Sequence, residues 1–338
     1  MNDTVVEIEN LTKRYGEFVA LDHLSLTLNR GSILGFIGPN GAGKTTTIRI
    51  LVGLTRPTEG RASIAGADCV TEARRVRRLV GYMPDKFGSY DNMRVREYLD
   101  FFGAAYGIRR RQRRVRIDEV LELTNAVWMQ DRYVESLSHG MQQRIGIART
   151  LLHQPEVLIL DEPANGLDPQ ARIEMREILL RLASEGRTLI VTSHILPELS
   201  RICDRVAIVA SGQLKAFGTL KEVTGQLTQR RTFEVQCLKE DQLSVVADTV
   251  RQQLEADTEV TTSETEGIVR FRSGSSDDVL AGLLSKIVAQ GTVVSQFREV
   301  AGDLEEAFIS ATQENAPTAA AEKPDQETVA AAATEAGS

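Results

Sequence analysis

Cysteine is scarce: the 338 residues hold only Cys69, Cys203 and Cys237, widely scattered, odd in number and with no CxxC pair. That spacing builds neither a disulfide framework nor a zinc site, and it leaves free thiols in a reducing compartment as the expectation. Also absent is any apolar run near the ~20 residues needed to cross a bilayer. The opening residues MNDTVVEIEN show no basic stretch followed by an apolar one, so a soluble chain without a signal peptide is expected. Positive charge is not in excess, with 40 Lys and Arg against 47 Asp and Glu and a net charge of −7. A broadly basic surface for nucleic acid is therefore not expected. No internal repeat is visible.

What is present suits a folded chain of ordinary core size: 42% hydrophobic and 26% charged residues. The length suggests one large domain and a smaller one. Val5–Ile8 and Leu24–Leu28 alternate as short strands. Ile33–Ile37 is a continuous apolar run of the kind found in buried central strands. A glycine-rich turn and a helical pattern from Lys44 to about Val52 follow. Residues 85–136 read as mostly helical, with apolar spacing over Glu97–Tyr106 and Ile117–Leu123. Strand, helix and strand then return at Val157–Leu160, Ile173–Ser184 and Thr188–Thr192, with a further strand at Arg205–Ala210. This alternation implies a largely parallel sheet covered by helices. Past Gly225 the order changes to βαββαβ: Thr232–Cys237, Asp241–Leu254, Glu259–Thr262, Gly267–Arg272, Asp277–Gln290 and Thr292–Arg298. A small ferredoxin-like sandwich would have that order. An amphipathic piece, Asp303–Ile309, closes it, and from Thr312 the Ala/Thr/Glu-rich composition reads as a disordered tail.

Gly38-Pro39-Asn40-Gly41-Ala42-Gly43-Lys44-Thr45 matches G-x-x-x-x-G-K-[ST] between a strand and a helix. Glycines let backbone N–H groups turn inward toward phosphate oxygens, and the helix start adds partial positive charge. Lys44 then reaches the β- and γ-phosphates, and the Thr45 hydroxyl can ligate Mg²⁺. Val157-Leu158-Ile159-Leu160-Asp161-Glu162 is a buried strand that delivers two acids to its C-terminal end. Asp161 suits a magnesium ligand and Glu162 a general base for an attacking water.

Between these motifs, Leu137-Ser138-His139-Gly140-Met141-Gln142-Gln143-Arg144 resembles the signature sequence of ABC (ATP-binding cassette) ATPases. Tyr15, Gly166-Leu167-Asp168 and His194 follow that family's order as the adenine-stacking aromatic, the D-loop and the switch histidine. The resemblance covers roughly residues 4–225. It implies a P-loop ATPase of ABC type, α/β with a small antiparallel β part and an inserted helical region of about 86–155. A small α+β accessory domain over 230–311 and a tail over 312–338 follow. It further implies ATP and Mg²⁺ as ligands. Glu162, His194 and Lys44 act in catalysis, and Thr45, Asp85 and Asp161 hold the metal. By that resemblance Tyr15, Gly38 to Thr46, Ser138, Gly140 and Asp168 contact the nucleotide, with the signature residues Ser138 and Gly140 coming from a second chain packed head to tail. The partners implied are transmembrane permease subunits of ABC-2 exporter type and a second copy or a similar ATPase. The location implied is the cytoplasmic face of the plasma membrane, and no nucleic-acid partner is implied. The competing readings are a soluble ABC ATPase acting on ribosomes or DNA, and an ATP sensor without turnover.

Two positions depart from the family pattern. Asp85 stands where glutamine is usual, and either keeps the magnesium-ligand role as a carboxylate or caps a loop. His139 and Met141 replace Gly and Gln in the signature, but Ser138 and Gly140 keep the donors and the changed side chains can point away, so the site is expected to stay competent. Ser138 also reads as an ordinary helix N-cap. The run from Arg109 to Arg116 reads as a solvated helix face, or as a contact for anionic lipid or a partner. The accessory domain resembles one appended to ABC-2 exporter ATPases, with a role in dimerisation, regulation or stability.

Overall fold

The computed structural model describes residues 3–85, 92–193, 199, 201–227, 231–239, 242–254, 258, 260–263 and 265–300. The chain opens with β1 (Thr4–Tyr15) and β2 (Phe18–Asn29), each 12 residues long and far longer than the short strands read from alternation. Their register shifts between Ile8 and Leu11 and again beyond Leu11, and Asn10 and His23 have φ of 46° and 51°. Bulges of this kind break the period of two that marks a strand in sequence while pairing continues. Next come β3 (Ile33–Ile37), α1 (Lys44–Leu51), β4 (Glu59–Ile64), β5 (Ala67–Asp68), α2 (Ala73–Leu79) and β6 (Val80–Met83). The helical insertion holds α3 (Val95–Ala105), α4 (Arg110–Leu123) and α5 (His139–Leu151). Then follow β7 (Val157–Leu160), α6 (Pro169–Ser184), β8 (Thr188–Ser193), β9 (Arg205–Ala210), β10 (Gln213–Gly218) and α7 (Leu220–Leu227).

Two sheets form the larger unit. One is antiparallel, in the order β2-β1-β4-β5. The other runs β10-β9-β3-β8-β7-β6, with β10 antiparallel to β9 and the rest parallel. All residues of β3, β7 and β8 are buried, as expected of strands covered on both faces. One face of the parallel sheet, with Leu34, Phe36 and Ile190, packs on β1, β2 and α1. The other, with Ile37, Leu160 and Val191, packs on α3 to α6. Ligand-bearing loops therefore gather at the carboxyl ends of β3, β7 and β8.

A separate core of Phe233, Val235, Val246, Phe271, Leu283 and Ile287 belongs to the second unit. It comprises β11 (Arg231–Cys237), α8 (Leu243–Gln253), β12 (Val260–Ser263), β13 (Ile268–Ser273), α9 (Asp277–Ala289) and β14 (Val294–Val300). The strands are ordered β12-β13-β11-β14, all antiparallel. The closing piece Asp303–Ile309 and the tail from Thr312 lie outside the described residues. Cys69 and Cys237 are buried, Cys203 is partly so, and all three are free thiols. Burial pushes the Cys69 thiol up to about 12. Among the described residues no helix is long and apolar enough to cross a membrane.

Candidate functional site

β3 hands the chain to the loop 38–43, which enters α1 at Lys44. Gly41 and Gly43 have φ of 83° and 105°, a region that L side chains rarely adopt. The loop is braced from behind by the β9–β10 turn. Gly212 N–H donates to Ala42 O at 3.1 Å, and Gly212 O accepts from Asp22 N–H at 2.9 Å. Lys44 is buried, and its ammonium donates to Gly38 O at 2.5 Å and Pro39 O at 3.2 Å. Burial lowers its pKa, while the charges of Glu162 and Asp161 oppose that shift. The cation is thus stored on the loop's own carbonyls beside the place where phosphate would lie.

β7 delivers Asp161 and Glu162 next to this loop. Asp161 N–H donates to Met83 O at 2.9 Å, which ties the end of β7 to β6. Burial raises the Asp161 carboxyl above 3.8, and the charge of Asp85 raises it further. The Thr192 hydroxyl, donating to Asp161 Oδ1 at 2.7 Å, lowers it, as do Lys44 and Arg49 by charge. The same Thr192 oxygen accepts from Glu162 N–H at 2.9 Å. Glu162 has φ of 52°, left-handed and uncommon for a non-glycine residue. Thr192, at the end of β8, therefore holds both acids at once. Thr192→Val, nearly equal in shape, strips both bonds. The expected result is a loss of about 1–3 kcal/mol in chemical unfolding, with weaker Mg²⁺ dependence of any ATP turnover. An unfolding curve matching wild type would remove Thr192 from the site.

Pro39 to Thr46, Asp85, Asp161 and Glu162 line one cavity of about 300 Å³, together with Phe18 and Ala20. Phe18 was not anticipated from the sequence. Tyr15 is its cross-strand partner, 46% exposed, with the Lys13 ammonium 4.8 Å from its ring centroid, and it is not part of the cavity wall. Gly38 is not part of the cavity wall, and its carbonyl accepts from Lys44. His194 lies outside the described residues.

Ser138, Gly140 and Asp168 are not brought to this cavity. Ser138 caps α5, its Oγ accepting from Met141 N–H at 3.5 Å. Asp168 caps α6, its Oδ1 accepting from Ala171 N–H at 2.8 Å with Pro169 at the first helical position. A Cβ on Gly140 would stand 3.2 Å from Ala171 Cβ, so the two helix starts abut. Met141 packs partly buried on the core. His139 turns toward the D-loop, where Nε2 lies 3.0 Å from Asn165 O.

A phosphate-gripping loop with two acids on the adjacent strand end of an open α/β sheet defines a P-loop nucleotide-binding protein. The family described as "ABC transporter" matches residues 21–165. The bacitracin transport ATP-binding protein BcrA of Bacillus licheniformis is 43% identical over 212 residues, 62% of this chain and 68% of that protein. A probable multidrug ABC transporter ATP-binding protein, YbhF of Escherichia coli K12, is 38% identical over 224 residues, 66% of this chain. The chain spans only 39% of the length of YbhF. A solved dimeric ATP-binding cassette, in a post-hydrolysis state bound to ADP and Pi, is 25% identical with a TM-score of 0.57. That likeness covers 63% of this chain and 98% of the other. The chain belongs to the ABC transporter ATP-binding proteins, a family of ATPases.

Proposed function

We infer that two chains bind ATP with Mg²⁺ between them and hydrolyse it to drive export through transmembrane partner subunits at the inner face of the plasma membrane. The carrying observation is a half-site. The cavity has its phosphate loop, Asp161 and Glu162, but Ser138, Gly140 and Asp168 stand at helix starts outside it. A head-to-tail pair would bring those groups to the other chain's phosphates, and the dimeric cassette bound to ADP and Pi supports that arrangement. Export is the direction supported by a relative, 39% identical over 220 residues, that is named for Nod factor export. The second unit, with its βαββαβ order and its β12-β13-β11-β14 sheet, is assigned as a ferredoxin-like accessory domain spanning about 230–311.

The residues fit magnesium. Among the described residues no cluster of three His, Cys, Asp or Glu could hold a metal alone. Mg²⁺ takes one or two carboxylates and completes its shell with phosphate and water, which Asp161, Asp85 and Thr45 at one cavity allow. When bound there, the ion neutralises charge on the phosphate oxygens. Lys44 presents its ammonium to the β- and γ-phosphates. Glu162 orients the attacking water and takes its proton, and Ser138 Oγ and Gly140 N–H of the second chain face the γ-phosphate. The reading is tested by ATP hydrolysis against protein concentration, together with isolation from membranes. Turnover that rises with pairing and co-isolation with transmembrane subunits support it. Turnover independent of concentration, or co-isolation with ribosomes, opposes it.

Asp85→Gln separates the two roles of that carboxylate. Its charge raises the Asp161 carboxyl, so its removal lets Asp161 ionise at lower pH. The acid limb of Mg²⁺-dependent turnover is then expected to move to lower pH, while more Mg²⁺ is needed for half-maximal rate because an anionic oxygen is gone. Identical pH and Mg²⁺ profiles for the two proteins would show that Asp85 only shapes its loop.

A further inference from the structure

Six arginines occupy the eight positions from Arg109 to Arg116. The structure divides them. Arg113 grips both oxygens of Asp100, at 2.6 and 2.9 Å, and also donates to Ile108 O at 2.9 Å. Arg116 is buried and donates to Leu151 O at 2.6 Å, Leu152 O at 3.3 Å and Glu119 at 2.7 Å. These two anchor the α3–α4 turn to the helical core. Arg109, Arg110, Arg111 and Arg114 are exposed. None of the four has a side-chain hydrogen bond or ion pair among the described residues, and Arg110 acts on Asp100 only through its charge.

Those four sit where the fold least favours them. They surround the first turn of a 14-residue helix that has no acidic residue there. Cations at a helix N-terminus oppose its dipole. Arg110 and Arg114, four apart, and Arg111 and Arg114, three apart, repel as neighbours on a helix surface. The cluster works against the stability of α4, and it sits exposed beside two arginines that anchor the turn and helix to the core. A polyanionic surface reverses both penalties.

The overall charge of −7 does not oppose such an encounter. Residues 301–338 contain eight Asp and Glu against one Lys, which accounts for all of it, so the preceding 300 residues are balanced. Single-stranded nucleic acid is recognised by rings that stack on bases. No aromatic residue lies within 109–116, and the nearby Tyr106 is already stacked on His153 with centroids 4.3 Å apart. A lipid leaflet reads charge alone. We propose that Arg109, Arg110, Arg111 and Arg114 form a docking surface for the anionic phospholipid headgroups of a membrane leaflet. This goes beyond the ATPase reading and does not depend on nucleotide.

The test is flotation of the full chain, without nucleotide, with phosphatidylcholine vesicles that do or do not contain phosphatidylglycerol. Each guanidinium near an anionic leaflet raises partitioning about fivefold. Replacing all four by glutamine is expected to lower binding to the anionic vesicles at least tenfold, and replacing all four by lysine to preserve it within about threefold. Binding by the wild-type chain should fall as salt rises, a measurement that stands even if the glutamine variant fails to fold. Equal binding to neutral vesicles, salt-independent binding, or full binding by the folded glutamine variant would overturn the proposal. So would loss of single-stranded RNA retention in that variant with vesicle binding intact.

Discussion

Glutamine in place of Glu162 is expected to lower ATP turnover by about 10²–10⁴-fold, the usual contribution of a positioned general base, while nucleotide still binds. The substitution keeps the size of the side chain and the hydrogen bond from the residue 162 N–H to Thr192 Oγ1. It also keeps the left-handed backbone at φ 52°, so thermal unfolding should barely move. What is lost is the anionic oxygen that, in the proposed mechanism, accepts a proton from water. ATP held without turnover should then keep two chains together long enough to be seen as a dimer by sedimentation. Phosphate release within threefold of wild type would show that another group serves as base.

Gly38→Ala is expected to raise the ATP dissociation constant at least 100-fold and to lower the melting temperature by several degrees. A Cβ on residue 38 would stand 2.4 Å from Val209 O and 2.9 Å from Ala42 Cβ. Neither neighbour is the tip of a flexible side chain. Val209 O belongs to β9, which pairs with β3, so relief must come from the loop moving outward. The loop is the proposed phosphate cradle, and Gly38 O is the acceptor that holds Lys44. Isothermal titration with ATP decides the matter, and an affinity within tenfold of wild type would mean that the loop yields without losing its shape.

The parts legible in the sequence share a physical cause. β3 and β7 begin and end at the residues where their apolar runs begin and end, and β9 adds only Arg205 ahead of its run, because strands buried on both faces need uninterrupted apolar side chains. β1 and β2 were under-read because their bulges shift the alternation. β10 was missed because it is an edge strand with intermediate or exposed positions at Gln213, Leu214, Lys215 and Phe217. The phosphate loop and the acid pair are contiguous motifs, so their chemistry can be read along the chain. Thr192 bridging two acids, Phe18 in the cavity wall and His139 meeting Asn165 are contacts made through space, and no local pattern announces them. His139 can point away from the site, and its ring is turned onto Asn165, outside the phosphate cavity.

That last contact completes a short mechanical line. Asn165 N–H donates to Glu162 O at 3.1 Å, and Asn165 O lies 3.0 Å from His139 Nε2. The turn that carries Glu162, the proposed base, is thus joined through one residue, Asn165, to the helix start that would close over the other site. In a paired assembly, a shift of Asn165 would be felt at both places. Two such sites resemble the two pans of a balance more than two independent engines, and their turnovers would be timed against each other.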